Sequence, residues 1–124
     1  MKKAELKISS DKMMVFEKSN IYMFDFSDII GIFCDHPYLL IETVNKTSKL
    51  IYHSLKEIAQ LLPFPFIACN RSSIINVFYI TQIINENPKS FVQLKNEKKL
   101  FIPRRKKNDI IKKINCMLKA SFTI

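Results

Sequence analysis

The chain has 124 residues, 48% of them apolar, and carries 20 Lys and Arg against 11 Asp and Glu, a formal net charge of +9. That length fits one core of useful size, so a single domain spanning 1–124 is expected. The longest apolar runs, 29–34 and 38–41, fall far short of the ~20 residues needed to cross a bilayer, and no apolar signal region follows Met1, so a cytoplasmic protein is expected.

In chain order, short strands are predicted at 5–8, 13–17, 21–26, 28–33, 38–44 and 48–52, from runs of large and β-branched side chains broken by polar turns. Asp35, His36 and Pro37 form a loop. Ser54-Leu55-Lys56-Glu57 has the spacing of a capping box, and Leu55, Ile58, Ala59 and Leu62 recur on one face. A helix of about two turns follows, stopped by Pro63 and Pro65, with Phe64, Phe66 and Ile67 anchoring the next segment in the core. Between Cys69 and Asn76 a short helix or turn is expected to present Asn70, Arg71 and Ser72 above buried Ile74 and Ile75.

Strands resume at 77–84, 90–94 and 100–102, separated by the turn residues Asn85 to Pro88 and Lys95 to Lys98. The last element reads as a helix, because Ile110, Ile111, Ile114, Met117 and Leu118 share one face and lysines hold the other. Pro103 fits just before it or at its first position. The lone glycine, Gly31, excludes a glycine-rich phosphate loop and leaves tight turns with positive φ to Asn or Asp.

The charge is concentrated at one end. Residues 95–119 hold ten basic side chains against Glu97 and Asp109, a local balance of +8, and the other 99 residues are nearly neutral. Such a field favours a polyanion, with nucleic acid first and an anionic membrane surface second. Cys34, Cys69 and Cys116 are odd in number and widely spaced, as suits reduced core thiols, and the two histidines form no cluster with zinc-ligand spacing. No metal or cofactor site is expected. His36 beside Asp35 lacks a companion nucleophile, so it reads as a solvated loop and the chain as a non-enzyme.

Five landmarks stand in order: Asp28-Ile29-Ile30; Ser54-Leu55-Lys56-Glu57-Ile58; the segment from Phe66 through Asn70-Arg71-Ser72 to Asn76; Val92-Gln93-Leu94-Lys95-Asn96; and Ile102-Pro103-Arg104-Arg105. Together they resemble the LytTR DNA-binding domain of bacterial regulators, over roughly residues 5–118. The resemblance implies an elongated, mainly β fold with short helices that binds one face of double-stranded DNA and sets loops in successive major grooves. Carried over by position, Tyr38 falls on a first reading loop, Asn70, Arg71 and Ser72 on a second, and Arg104 and Arg105 on a third. Asn70 stands where the family has His, Ser73 where it has an aromatic residue and Pro103 where it has Ser, and the strand after Asp28 lacks the family's common Glu-Ala pair, having Cys34-Asp35 nearby. These departures bear on the bases recognised more than on the scaffold.

Arginine suits base reading because its planar fork donates two hydrogen bonds to guanine O6 and N7. The competing role for Arg71, Arg104 and Arg105 is a surface pair with a carboxylate. Lys106 and Lys107, with the lysines at 98, 99, 112 and 113, fit phosphate contacts, and six engaged lysines correspond to a slope of log K against log salt of about −5. Asn70 and Ser72 can contact DNA or cap a short helix, and Tyr38 can contact DNA or fill the core. The family commonly carries a receiver domain ahead of this module, so control by a regulatory protein partner, by abundance or by a further segment is expected, and a homodimer on repeated sites is open. The alternative function is a basic interaction module whose C-terminal helix docks on an acidic protein or an anionic membrane.

Overall fold

Apolar residues alternate along the first strands, and period-two alternation buries one face of each. In the computed structural model, which describes residues 2–45 and 47–118, this alternation builds an antiparallel meander of β1 (Glu5–Ile8), β2 (Lys12–Glu17) and β3 (Asn20–Asp25). Met13, Val15 and Phe24 point inward from it.

The next strands are more continuously apolar and are covered on both sides. β4 (Ile29–Asp35) is buried at five consecutive positions, Ile29 to Phe33. It lies inside a five-stranded sheet with β5 (Tyr38–Thr43), β6 (Lys49–Ile51), β7 (Phe66–Asn70) and β8 (Ser73–Asn76), in the order β6-β5-β4-β8-β7 with antiparallel neighbours. Helix α1 (Leu55–Leu61) links β6 to β7. A third sheet, β11-β10-β9, comprises β9 (Ile80–Glu86), β10 (Lys89–Leu94) and β11 (Lys99–Ile102), and α2 (Lys107–Met117) ends the described chain.

Two cores result. On one face of the central sheet Ile32, Ile41 and Ile74 pack with Met13, Val15 and Phe24 of the first sheet and with Ile58 of α1. On the other, Phe33, Cys69 and Ile75 pack with Val92, Leu94 and Ile102 of the third sheet and with Ile110 and Ile114 of α2. Gly31 sits where these layers meet. A Cβ there would lie 2.6 Å from the Ile74 carbonyl oxygen, so only glycine allows β8 to come this close to β4. Asn76, wholly buried, donates to the carbonyls of Phe26 (3.1 Å) and Ile29 (3.0 Å) and accepts from the Phe78 amide (2.9 Å), which fixes the end of β8 beside the start of β4.

The structure departs from the sequence reading at several points. Of the two forms expected for 69–76, a short helix or a turn, the structure takes the turn: Arg71 and Ser72 close a β-hairpin in which Ile74 pairs with Ala68 and Ile75 with Ile67, and both isoleucines are buried as expected. A 3-10 turn at Val77–Tyr79 precedes β9, so the strand starts at Ile80. Phe64 is no core anchor: it is 50% exposed and stacks edge-on with Phe78, also exposed. Cys34 and Cys116 are exposed, leaving Cys69 as the one buried thiol. Among the described residues positive φ is taken by Lys18 and Glu97 and by no Asn or Asp. Leu118 lies just beyond α2 and is exposed, and Lys119 lies outside the described residues.

Candidate nucleic-acid interface

Antiparallel register decides which turns share an end of the molecule. The β4–β5 hairpin closes with Asp35 opposite Tyr38, and the β7–β8 hairpin closes with Asn70 opposite Ser73, which places Arg71 and Ser72 at its tip. Phe33 pairs with Ser73 and the Cys34 amide donates to the Ser72 carbonyl at 2.9 Å, so the two tips are adjacent. Tyr38 is exposed there, as are Arg71 and Ser72.

Asn70 joins the third segment to this end. Its side-chain Nδ2 donates to the Phe101 carbonyl at 2.8 Å, while Oδ1 accepts from the Ser72 amide at 2.8 Å. The second bond is the local turn that Asn favours, and the first ties the hairpin to the end of β11. One residue past β11, Pro103 leads into a single 3-10 turn, Arg104–Lys106, closed by the Lys106 amide on the Pro103 carbonyl at 2.9 Å. The chain then enters α2, whose buried Ile110 and Ile114 fix the helix against the third sheet. Arg104, Arg105 and Lys106 are therefore held beside the hairpin tips with their side chains exposed, and Lys107 is half-buried.

Ion pairing separates these cations from Lys98, Lys99 and Lys113. The seven ion pairs among the described residues involve none of Arg71, Arg104, Arg105, Lys106 and Lys107. The carboxylate-paired reading of the three arginines thus finds no partner among the described residues. Lys98, by contrast, lies over the Phe33 ring and 3.4 Å from Glu42. Lys99 is bonded to Glu86 and covers Phe91, and Lys113 pairs with Asp109 at 3.2 Å. These three, which the sequence groups with the phosphate-binding lysines, already have anionic partners. At the N-terminus of α2 no side chain caps the first turn; the Lys107 amide donates to the Arg104 carbonyl of the preceding 3-10 turn, and Asp109 lies in the first helical turn.

The sequence-derived residues divide accordingly. Tyr38, Arg71, Ser72, Arg104, Arg105, Lys106 and Lys107 gather at one end, and Asn70 joins them as the group that aligns hairpin and turn. Lys89 was not singled out from the sequence. It follows Pro88 at the tip of the β9–β10 hairpin, and the pairing of Ser90 with Ile102 brings it to the exit of β11. Its only sequence signal is a lysine next to a turn, and the register that gives it meaning is long-range. Neither the cysteines nor the histidines add chemistry here: among the described residues no three His, Cys, Asp or Glu side chains converge. No helix among them is long and apolar enough to cross a membrane.

Residues 19–115 match the family described as the LytTr DNA-binding domain. Among solved structures, the chain resembles a Bacillus cereus domain described as the LytTr DNA-binding domain of a methyl-accepting/DNA response regulator. The TM-score is 0.70 at 18% identity, over 86% of this chain and 98% of that one. No curated protein sequence matches the chain.

Proposed function

Since the chain belongs to the LytTr DNA-binding domain family, we propose that it reads a specific sequence in double-stranded DNA and thereby regulates transcription. One observation carries this reading: three segments distant in sequence meet at one end and present five cations with no carboxylate partner among the described residues. Arg71 on the hairpin tip, with Arg104 or Arg105 on the following turn, supplies the forked donors that discriminate guanine in the major groove. Lys106 and Lys107 bind phosphates, which set position without carrying sequence. Tyr38 and Ser72 border the same surface and add contacts to base edges or backbone.

On this reading residues 1–124 form one DNA-binding unit acting in the cytoplasm, with a homodimer on repeated sites left open and control lying with a regulatory protein partner, abundance or a further segment. Catalysis has no part in this reading. The competing reading, a basic helix docking on an acidic protein or an anionic membrane, is disfavoured because Ile110 and Ile114 of α2 are buried, at 2% and 6% exposure, leaving the helix little free apolar face.

Selection from a randomised duplex pool tests the proposal. A defined site is expected to be enriched, with Arg71→Ala and Arg105→Ala each costing ~1–3 kcal/mol at particular base positions. Binding that selects no sequence and fades with salt alike for both variants would leave only an electrostatic anchor.

A further inference from the structure

The β9–β10 hairpin and the start of α2 enclose an open cleft of about 450 Å³ at the edge of the end described above. Pro88, Lys89, Phe101, Ile102, Arg104 and Lys107 line it. Three of these are cations and none is an acid. Glu86, which faces Lys89 across the hairpin, gives its carboxylate to Lys99, so Lys89 keeps its charge uncompensated among the described residues. Ser90 also lines it, but its hydroxyl is taken by Asn85 (2.8 Å); the rest of the lining is apolar, and Phe101 is 45% exposed within it. Cations gathered over an apolar floor match a sugar–phosphate unit, which offers a single negative charge beside the hydrocarbon face of a deoxyribose.

We infer that this cleft clamps one backbone phosphate of the bound duplex, next to the bases read from the hairpin tip, with Lys89, Arg104 and Lys107 around the phosphate and Phe101 against the sugar. The inference rests on the DNA-reading function proposed above and divides its third segment. Arg104 turns to the backbone, Arg105 remains free for bases, and the β9–β10 hairpin becomes a further DNA-contacting element.

The test compares Lys89→Gln and Lys107→Gln with Lys95→Gln, using the whole chain and both the selected duplex and a scrambled one. Lys95 lies at the far end of β10, about 20 Å from Lys89 by strand rise, and its substitution removes the same charge. Lys89→Gln and Lys107→Gln are each expected to weaken both duplexes by about the same 3- to 10-fold and to flatten the salt slope by about 0.9, while Lys95→Gln matches wild type. Ethylation of one phosphate beside the selected bases should weaken wild type more than it weakens Lys89→Gln.

Wild-type affinity and slope for Lys89→Gln, or a loss confined to one base identity, would overturn the clamp. Equal losses for Lys89→Gln and Lys95→Gln would also overturn it, by reducing the effect to overall charge. If the wild-type chain selects a sequence while Lys89→Gln behaves as wild type, only the clamp fails. If the wild-type chain binds no duplex, the DNA-reading function fails and the clamp with it.

Discussion

Asn70 and Arg71 are neighbours in sequence with opposite duties. The amide of Asn70 gives its donor to Phe101 and its acceptor to Ser72, whereas the Arg71 guanidinium has no acid partner among the described residues. Removing Asn70 deletes two hydrogen bonds and frees the hairpin tip from β11. Asn70→Ala is therefore expected to lower unfolding free energy by about 1–2 kcal/mol and to weaken DNA binding, while Arg71→Ala leaves stability within ~0.5 kcal/mol and acts on binding alone. Thermal melting beside a binding titration separates the two, and equal stability for both variants would refute the division. Cys69 offers a pH-dependent counterpart. Burial pushes its thiol from an ordinary 9.0 up to about 11. Because the folded value is raised, its contribution to stability is fully present below pH 9 and is lost as pH rises through about 11. Under native conditions at pH 8 a soluble alkylating agent should modify the exposed Cys34 and Cys116 and spare Cys69, as mass spectrometry can count. At this scale the sequence discloses which side chains can donate forks or carry charge. It does not disclose which charges are already paired, since the partners of Lys98 and Lys99, Glu42 and Glu86, lie 56 and 13 positions away.

Elements were readable where a local pattern and its tertiary partner agree. The Ser54 cap is one such place: Ser54 Oγ accepts from the Glu57 amide at 3.3 Å and α1 starts at the next residue. The other half of the capping box is not made, because the Ser54 amide donates to His53 Nδ1 at 2.8 Å and Glu57 turns to Lys3. The segment Asn70-Arg71-Ser72 is the contrasting case. Its residues serve helix caps and hairpin turns equally well, and the choice falls to strand pairing, because Ile74 and Ile75 must reach opposite faces of a sheet buried on both sides. Gly31 was visible as the only glycine, but its purpose belongs to packing. Gly31→Ala drives a methyl group against the Ile74 carbonyl and is expected to cost about 1–3 kcal/mol by forcing β4 and β8 apart. Chemical denaturation would measure it, and a change below ~0.5 kcal/mol would mean that the β4–β8 contact yields freely.

For the molecule as a whole, the central sheet joins two cores and holds the cationic end on their shared frame. The cations assigned to phosphates, Lys106 and Lys107 with Arg104 and Lys89, predict a slope of log K against log salt of up to about −3.6, to which Arg71 and Arg105, assigned to bases, add little. A salt series on the selected duplex checks this, and a slope shallower than about −1 would mean that these cations do not touch DNA. The sequence gathered the positive charge at the C-terminal end and marked most of the strands, because charge, alternation and capping are local properties. The five ordered landmarks carried the family resemblance for the same reason. What only the tertiary structure decided is the assembly of the surface. Register brings the tips of β4–β5 and β7–β8 beside the exit of β11, burial of Ile110 and Ile114 sets the direction of α2, and ion pairs withdraw Lys98, Lys99 and Lys113 from the free charge. Each depends on contacts between residues far apart in the chain, whose energies are fixed by packing around two cores and are not written in any short stretch of sequence.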